Sequence, residues 1–159
     1  MGVFEKLSRI AMRDAGAATE GVARALTESY LACARRAAQL LRHAGMAPQL
    51  QSAEALKQLA AAEEDQRDRL RQAIEAAGTP VPPVAPEPLP RGALNHWARL
   101  VEDLEDHRSA VQCFRELAIR FAESFPKTAG LFDRLCREEA AHCEDLRALI
   151  ARADPQALD

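Results

Sequence analysis

The sequence predicts an all-α protein, a four-helix bundle made of two antiparallel helical hairpins. Of its 159 residues, 48% are apolar and 28% are charged, and alanine, leucine, arginine and glutamate dominate, as is typical of helical proteins. Four long segments repeat apolar residues at alternating spacings of three and four, which places them on one face of a helix. Six of the nine prolines lie within residues 79–92, so this stretch cannot continue a helix. We therefore expect two helices on either side of it.

The first hairpin consists of helices A and B. Helix A covers about 17–44 and ends at Gly45, since glycine commonly follows the last turn of a helix. Helix B begins near Ser52, a good N-cap, and ends before Gly78. The short turn between them favours antiparallel packing. Residues 3–12 carry apolar side chains on one side and predict a separate short helix.

The second hairpin consists of helices C and D. Helix C covers about 92–123, directly after the prolines, and helix D follows Pro126 and ends near residue 153, ahead of Pro155. The connection between them is again short, which favours a second antiparallel pair.

The proline-rich segment is predicted to cross the length of the bundle. A dozen residues in an extended polyproline path reach roughly 37 Å. A helix of about 26 residues is roughly 39 Å long, so helix C can begin parallel to helix B. A flexible tether between two separate hairpins is the competing interpretation, but one hairpin alone buries too little surface. The predicted single domain, 1–159, divides into an N-terminal extension (1–16), a first hairpin (17–78), a crossover (79–91) and a second hairpin (92–154).

Charge and hydropathy argue against binding to nucleic acid and against insertion into a membrane. The net charge is −3 with interspersed signs, which does not resemble a nucleic-acid-binding surface. No apolar run approaches the roughly 18–20 residues of a membrane span. The first residues, MGVFEKLSRIAMRD, lack the pattern of a signal peptide, so we expect a cytoplasmic protein.

The cysteines form no C-x-x-C pair, which argues against a zinc ribbon or a rubredoxin-type centre. We expect them to be small buried thiols in a reducing compartment. These residues are Cys33, Cys113, Cys136 and Cys143. His43 and His96, near predicted helix ends, are expected at the surface.

Helices B and D carry the same repeat of inward-facing apolar residues. In both helices, two polar residues interrupt this repeat at the same level. The inward positions are Leu56, Leu59, Glu63, Gln66, Leu70, Ala73 and Ala77 on helix B, and Phe132, Leu135, Glu139, His142, Leu146, Leu149 and Ala153 on helix D. A buried carboxylate is costly unless it is paired, protonated or bound to a metal. Glu139 and His142 lie one turn apart on one face, so both can reach one ion. The pattern therefore predicts a polar site within the core.

Helices C and A complete the predicted core. The inward positions of helix C are Trp97, Leu100, Leu104, His107, Val111, Phe114, Ala118 and Phe121, and those of helix A are Leu31, Ala34, Ala38 and Leu41. His107 thus faces the site, whereas Glu105 points to solvent. Aligning the apolar positions of helix A places Thr27 opposite His107, but counting from the helix end places Glu28 there. Both alternatives stay open.

With these residues in place, the chain resembles the ferritin-like superfamily, and within it the rubrerythrin-like branch. The resemblance covers all four helices. It implies a glutamate from each of helices A and C and a Glu-x-x-His pair from each of helices B and D, together holding two irons. Those irons react with oxygen or peroxide, or oxidise Fe(II) for storage. Glu139 and His142 match in full, Glu63 matches, and Glu28 is a possible match on helix A.

Two positions depart from the pattern of that family. Gln66 stands where the histidine of helix B is expected and offers only a neutral oxygen, and His107 replaces the glutamate of helix C. The remaining carboxylates offset the charge of two irons poorly. One divalent ion, Fe(II), Mn(II) or Zn(II), is better served by two histidines and two carboxylates.

The predicted function is that of a ferritin-like metal-binding protein with one or two iron ions, or manganese, in the bundle core. The resemblance also implies an oxygen- or peroxide-linked redox or ferroxidase-type role and a homo-oligomer, a dimer or larger. The alternative is a metal-free bundle that associates with itself or with a protein partner. Its polar positions would then form a buried network, with Arg67 or Arg108 nearby.

Overall fold

The structure is a computed structural model, and it describes residues 3–85, 95–154 and 156, with side chains from Gly16 onward. Its helices are α1 (Val3–Gly45), α2 (Leu50–Ala76), α3 (His96–Phe121) and α4 (Pro126–Ile150). The predicted all-α, four-helix architecture is confirmed. Among the described helices, none is long and apolar enough to cross a membrane.

Most helix ends follow the expected signals, but the predicted N-cap Ser52 is wrong, because α2 begins at Leu50 with Gln49 at the N-cap position and without a side-chain cap. Gly78 has φ 69° just after α2, a left-handed conformation that suits glycine, and Pro126 occupies the first turn of α4. The side chain of Asn95 caps α3 by accepting from the backbone N–H of Ala98 at 2.9 Å. The predicted start of helix C, near 92, lies outside the described residues. The separate short helix over 3–12 is wrong, because α1 is continuous from Val3.

Helices α1 and α2 pack as one hairpin and α3 and α4 as the other. Two apolar clusters fill the core between them. The phenylalanine cluster contains Val22, Leu26, Tyr30, Leu70, Ile74, Phe114, Leu117, Phe121, Phe132 and Leu135. The leucine cluster contains Leu40, Leu56, Leu59, Leu100, Leu104, Leu146 and Leu149.

The two clusters give the direction of each helix. Helices α2 and α3 both run from the leucine cluster to the phenylalanine cluster, whereas α1 and α4 run the other way. Helices α2 and α3 are therefore parallel, as predicted, and the chain between them connects opposite ends of the bundle. At its start, Val81 packs against the phenylalanine cluster. The rest of the predicted crossover, from residue 86, lies outside the described part of the chain.

The inward face was predicted well for three helices, but on α1 Ala34 alone of the four predicted positions is buried. The structure buries Tyr30, Cys33, Ala37 and Leu40, each one residue before a predicted inward position of α1. The predicted Leu31 and Leu41 are 38% and 48% exposed. A shift of one residue rotates a helical face by about 100°, so a different side of α1 meets the core.

Candidate metal centre

A layer of polar side chains lies between the two apolar clusters. On α2, for example, Glu63 and Gln66 stand between Leu59 of the leucine cluster and Leu70 of the phenylalanine cluster. Each helix contributes in this way, and every member is buried. The members are Arg36 of α1, Glu63 and Gln66 of α2, His107 of α3, and Glu139 and His142 of α4.

Four members of this polar layer converge on one point. One ligand atom from each of Glu63, His107, Glu139 and His142 lies within 4.8 Å of the others. Four ligands bound tetrahedrally at about 2.1 Å lie roughly 3.4 Å from one another. Side-chain rotations that draw these atoms together would therefore bring them around one ion. The structure thus assembles the four residues that the sequence analysis proposed for a single-ion site.

The two histidines contact the carboxylates in different ways. His107 Nδ1 lies 2.6 Å from Glu139 Oε2 and 3.5 Å from Glu63 Oε1. The first distance is that of a hydrogen bond, in which Nδ1 of His107 donates to the carboxylate oxygen. His142 Nδ1 is 3.8 Å from Glu63 Oε1 and 3.9 Å from Glu139 Oε1, too far for hydrogen bonds. Among the described residues, His107 Nε2, His142 Nδ1 and Glu63 Oε1 have no hydrogen-bond partner.

Arg36 bridges the two carboxylates from α1. Its Nε donates to Glu63 Oε2 at 3.1 Å, its Nη2 lies 3.0 Å from the same oxygen, and Nη2 also donates to Glu139 Oε1 at 3.5 Å. Nη2 lies 3.3 Å from the Cys33 thiol as well. Glu63 therefore presents Oε2 to the guanidinium and Oε1 to the histidines, whereas Glu139 presents Oε1 to the guanidinium and Oε2 to His107.

The sequence analysis missed Arg36 because it chose the wrong face of α1. The apolar residues Leu26, Tyr30, Cys33, Ala37, Leu40 and Ala44 are spaced as regularly as the set that was chosen. On that face, Arg36 lies beside Ala37 and points into the core. This alternative spacing of apolar residues is the sequence pattern that could have identified the buried face of α1.

The charges of the layer stabilise one another. Burial alone would raise the pKa of Glu63, but His142 and Arg36 outweigh it and lower this pKa to about 2. Burial would lower the pKa of His142, but Glu63 and Glu139 raise it above its ordinary value. Burial likewise opposes the charge of Arg36, and the same two carboxylates raise its pKa. Glu63 is therefore ionised at neutral pH.

The charge balance fits one divalent ion better than two. Two carboxylates and one guanidinium give −2 + 1 = −1 when the imidazoles are neutral. One divalent ion changes this sum to +1, and two ions change it to +3. Uncompensated charge is expensive where every group is buried. The donor set therefore fits a single ion.

The remaining predicted site residues lie outside the group of four. Glu28 is exposed, Thr27 is half-buried, and Arg36 occupies the α1 side of the site instead. Gln66 belongs to the layer, but its Oε1 faces the Cys33 thiol at 3.8 Å.

The two arginines suggested for a metal-free network, Arg67 and Arg108, contact other carboxylates and not the polar layer in the part of the chain that the structure describes. Arg67 lies 3.7 Å from Asp68, and Arg108 donates to the exposed Glu105 at 2.8 Å. Glu105 thus faces solvent, as predicted.

A second buried polar network lies near the end of α1. His43 Nδ1 is 2.8 Å from Asp103 Oδ2, and Gln39 Nε2 donates to Asp103 Oδ1 at 2.9 Å. His43 and His96 are only 1% and 6% exposed, so their predicted surface position is wrong. Asp103, which is distant in the sequence, accepts a hydrogen bond from the ring N–H of His43. This contact offsets the cost of burying the histidine.

The four cysteines are free thiols. Cys33 and Cys143 are buried, as predicted, and Cys136 is half-buried. The prediction is wrong for Cys113, which is exposed.

Comparisons with known proteins identify the fold. No protein-family model matches the sequence, and no curated protein matches it. Among solved structures, the chain is similar to the bacterioferritin of Rhodobacter capsulatus, with a TM-score of 0.72 and 18% sequence identity. The match covers 86% of this chain and 89% of that one. That bacterioferritin was solved with a metal-free dinuclear site and a haem iron. The likeness shows that the fold is the ferritin-like four-helix bundle.

Proposed function

Because the chain has the ferritin-like fold, we propose that it binds one divalent transition-metal ion, iron or manganese, in the polar layer. The ligands would be Glu63, His107, Glu139 and His142. One observation carries this proposal: their four ligand atoms lie within 4.8 Å of one another in the buried centre of the bundle. Mixed imidazole and carboxylate donors suit Fe(II) and Mn(II).

Each ligand has a distinct part in holding the ion. Glu63 and Glu139 supply the negative charge, and both are fully buried, so the attraction is weakly screened by solvent. His107 is oriented by its contact with Glu139. The side chain of His142, 11% exposed, is the ligand nearest to solvent. A bound iron or manganese would supply oxygen- or peroxide-linked redox chemistry, or the oxidation of Fe(II).

We also propose that the protein is cytoplasmic and forms a homo-oligomer. Three large apolar side chains at the turn between α1 and α2 support association: Leu41, Met46 and Leu50 are 48%, 41% and 77% exposed. Exposed apolar groups of this kind often mark an interface. Sedimentation velocity over a range of concentrations tests this part, and a monomer at every concentration contradicts it.

A metal-free bundle is the second candidate, and Arg36 favours it. The guanidinium already neutralises part of the charge of both carboxylates, so the layer can be stable without an ion. In that case the protein would act through association with itself or with another protein.

Metal content separates the two candidates. Protein produced in medium supplemented with iron and manganese should contain about one equivalent of metal, and Glu139→Ala and His142→Ala should lose it. Glu64→Ala is the matched control, since Glu64 is the exposed neighbour of Glu63. Less than about 0.1 equivalents in the wild type after anaerobic reconstitution overturns the metal-binding proposal and leaves the metal-free bundle.

A further inference from the structure

A groove of about 930 Å³ separates α1 from α3. Small residues such as Ala25, Ala32 and Ala110 line it, so the two helices do not close against each other there. Arg36 and Phe114 are among the buried side chains that line it. The guanidinium carbon of Arg36 lies 5.9 Å from the centre of the Phe114 ring. The groove therefore leads from solvent to Arg36.

Arg36 also contacts the proposed ligands. Its guanidinium bridges Glu63 and Glu139, which are fully buried and do not line the groove. One side chain thus separates the groove from the two carboxylates. A cation arriving from the groove meets this guanidinium before it meets its ligands.

We propose that Arg36 is the gate of the buried site and that the groove between α1 and α3 is the route of the metal ion. This inference rests on the proposed function. In the metal-free protein, Arg36 neutralises the carboxylates and blocks the passage. A divalent ion beside the histidines competes with the guanidinium for the negative charge of the same two carboxylates, so its binding favours withdrawal of the guanidinium into the groove.

The groove suits the withdrawal of the guanidinium. Three carboxylates line it, those of Glu28, Asp106 and Glu116. They offer acceptors for a guanidinium that leaves the site. Three further arginines, Arg24, Arg35 and Arg120, offset the charge of these carboxylates, so the groove gives passage to a cation without concentrating it. Glu28, which the sequence analysis considered as a ligand, would thus accept from the withdrawn guanidinium.

Replacing Arg36 tests whether its guanidinium competes with the metal ion for the two carboxylates. Metal-free Arg36→Gln should bind Mn²⁺ about tenfold more tightly than the wild type in a calorimetric titration, because no internal cation has to be displaced. Arg36→Lys keeps the charge and should stay closer to the wild type. Arg35→Gln is the matched control, since Arg35 is exposed on the same groove. An affinity of Arg36→Gln equal to or weaker than that of the wild type overturns the gate.

The exposed Cys113 gives a test that leaves Arg36 in place. Cys113 lines the groove, so a bulky maleimide attached to its thiol should obstruct the route. Uptake of Mn²⁺ by the labelled protein should be at least about fivefold slower than uptake by Cys113→Ser treated in the same way, because only the route is obstructed. Equal rates overturn the groove as the route and point to entry past His142, the ligand nearest to solvent.

The failure of the gate and the failure of the proposed function can be told apart. If the wild type binds no Mn²⁺ but Arg36→Gln does, the proposed function fails and Arg36 is a permanent block of the site, not a gate. If both bind with the same affinity, the gate fails and the proposed function stands. If neither binds, both are overturned.

Discussion

His107 Nδ1 lies 2.6 Å from Glu139 Oε2 and connects α3 to α4 at the centre of the bundle. The same carboxylate accepts from Arg36 through its other oxygen at 3.5 Å. Glu139 thus joins three helices at the level of the polar layer. This arrangement makes the polar layer a structural element of the metal-free protein as well as a candidate metal site.

Glu139→Gln should destabilise the metal-free protein by about 3 kcal/mol, because it removes one partner of a buried charge network. The amide keeps the shape of the side chain but leaves Arg36 with a single carboxylate. Urea unfolding in the presence of a chelator measures the effect. Glu105→Gln is the control, since this carboxylate is exposed. A loss below about 0.5 kcal/mol, the size expected at the surface, would show that the layer is not a stabilising network.

Asp103→Asn should cost about 2 kcal/mol of the free energy of unfolding, because Asp103 is the buried acceptor for His43 and Gln39. Asp106→Asn provides the comparison: Asp106 also accepts from Gln39, but it is exposed. Thermal unfolding of both variants gives the difference. Equal melting temperatures would contradict a structural role of the His43–Asp103 contact.

Phe132→Ala should cost about 3–5 kcal/mol, because it opens a cavity in the phenylalanine cluster. Phe132 is fully buried, and its ring stacks on Phe114 at 5.9 Å and on Phe121 at 6.2 Å. Phe125→Ala should cost less, since Phe125 is only half-buried. Chemical denaturation of both variants measures the two losses of unfolding free energy. A larger loss in Phe125→Ala than in Phe132→Ala would contradict the central position of Phe132 in the core.

The rate of Cys113 alkylation should rise with pH and should still be rising above pH 9. Burial is the main cause that raises the pKa of this thiol above its ordinary value, and Glu116 adds to it. The thiolate is the reactive form, so the rate should rise about tenfold per pH unit until the pH passes that pKa. Mass spectrometry of iodoacetamide adducts measures the rate, with Cys113→Ser as the control. A plateau below pH 9 would contradict the raised pKa.

The sequence predicted the α2 and α4 sides of the site because large apolar residues define both inner faces. Leucine and phenylalanine on either side of Glu63 and of Glu139 leave little choice of face. The shared level of the two polar interruptions then predicted that they meet. The same reasoning predicted His107 on α3, and the structure brings all of these residues together.

Helix α1 could not be predicted in this way, because alanines occupy several of its faces. Two alternating patterns, one residue apart, explain its apolar residues equally well. Burial of Arg36 was also unexpected, since arginine is rarely buried without a partner. Its partners are Glu63 and Glu139 on other helices, 27 and 103 residues away along the chain. Only the tertiary structure brings these charges together, and the same holds for His43 and Asp103.

The most direct test of the single-ion centre is the stoichiometry of Mn²⁺ in the metal-free protein, measured by native mass spectrometry. His142→Ala is the paired variant. The proposed centre predicts one Mn²⁺ per chain in the wild type and none in His142→Ala at the same metal concentration. Two ions per chain would contradict the charge balance set by Arg36, and no bound ion in the wild type would contradict the metal centre itself.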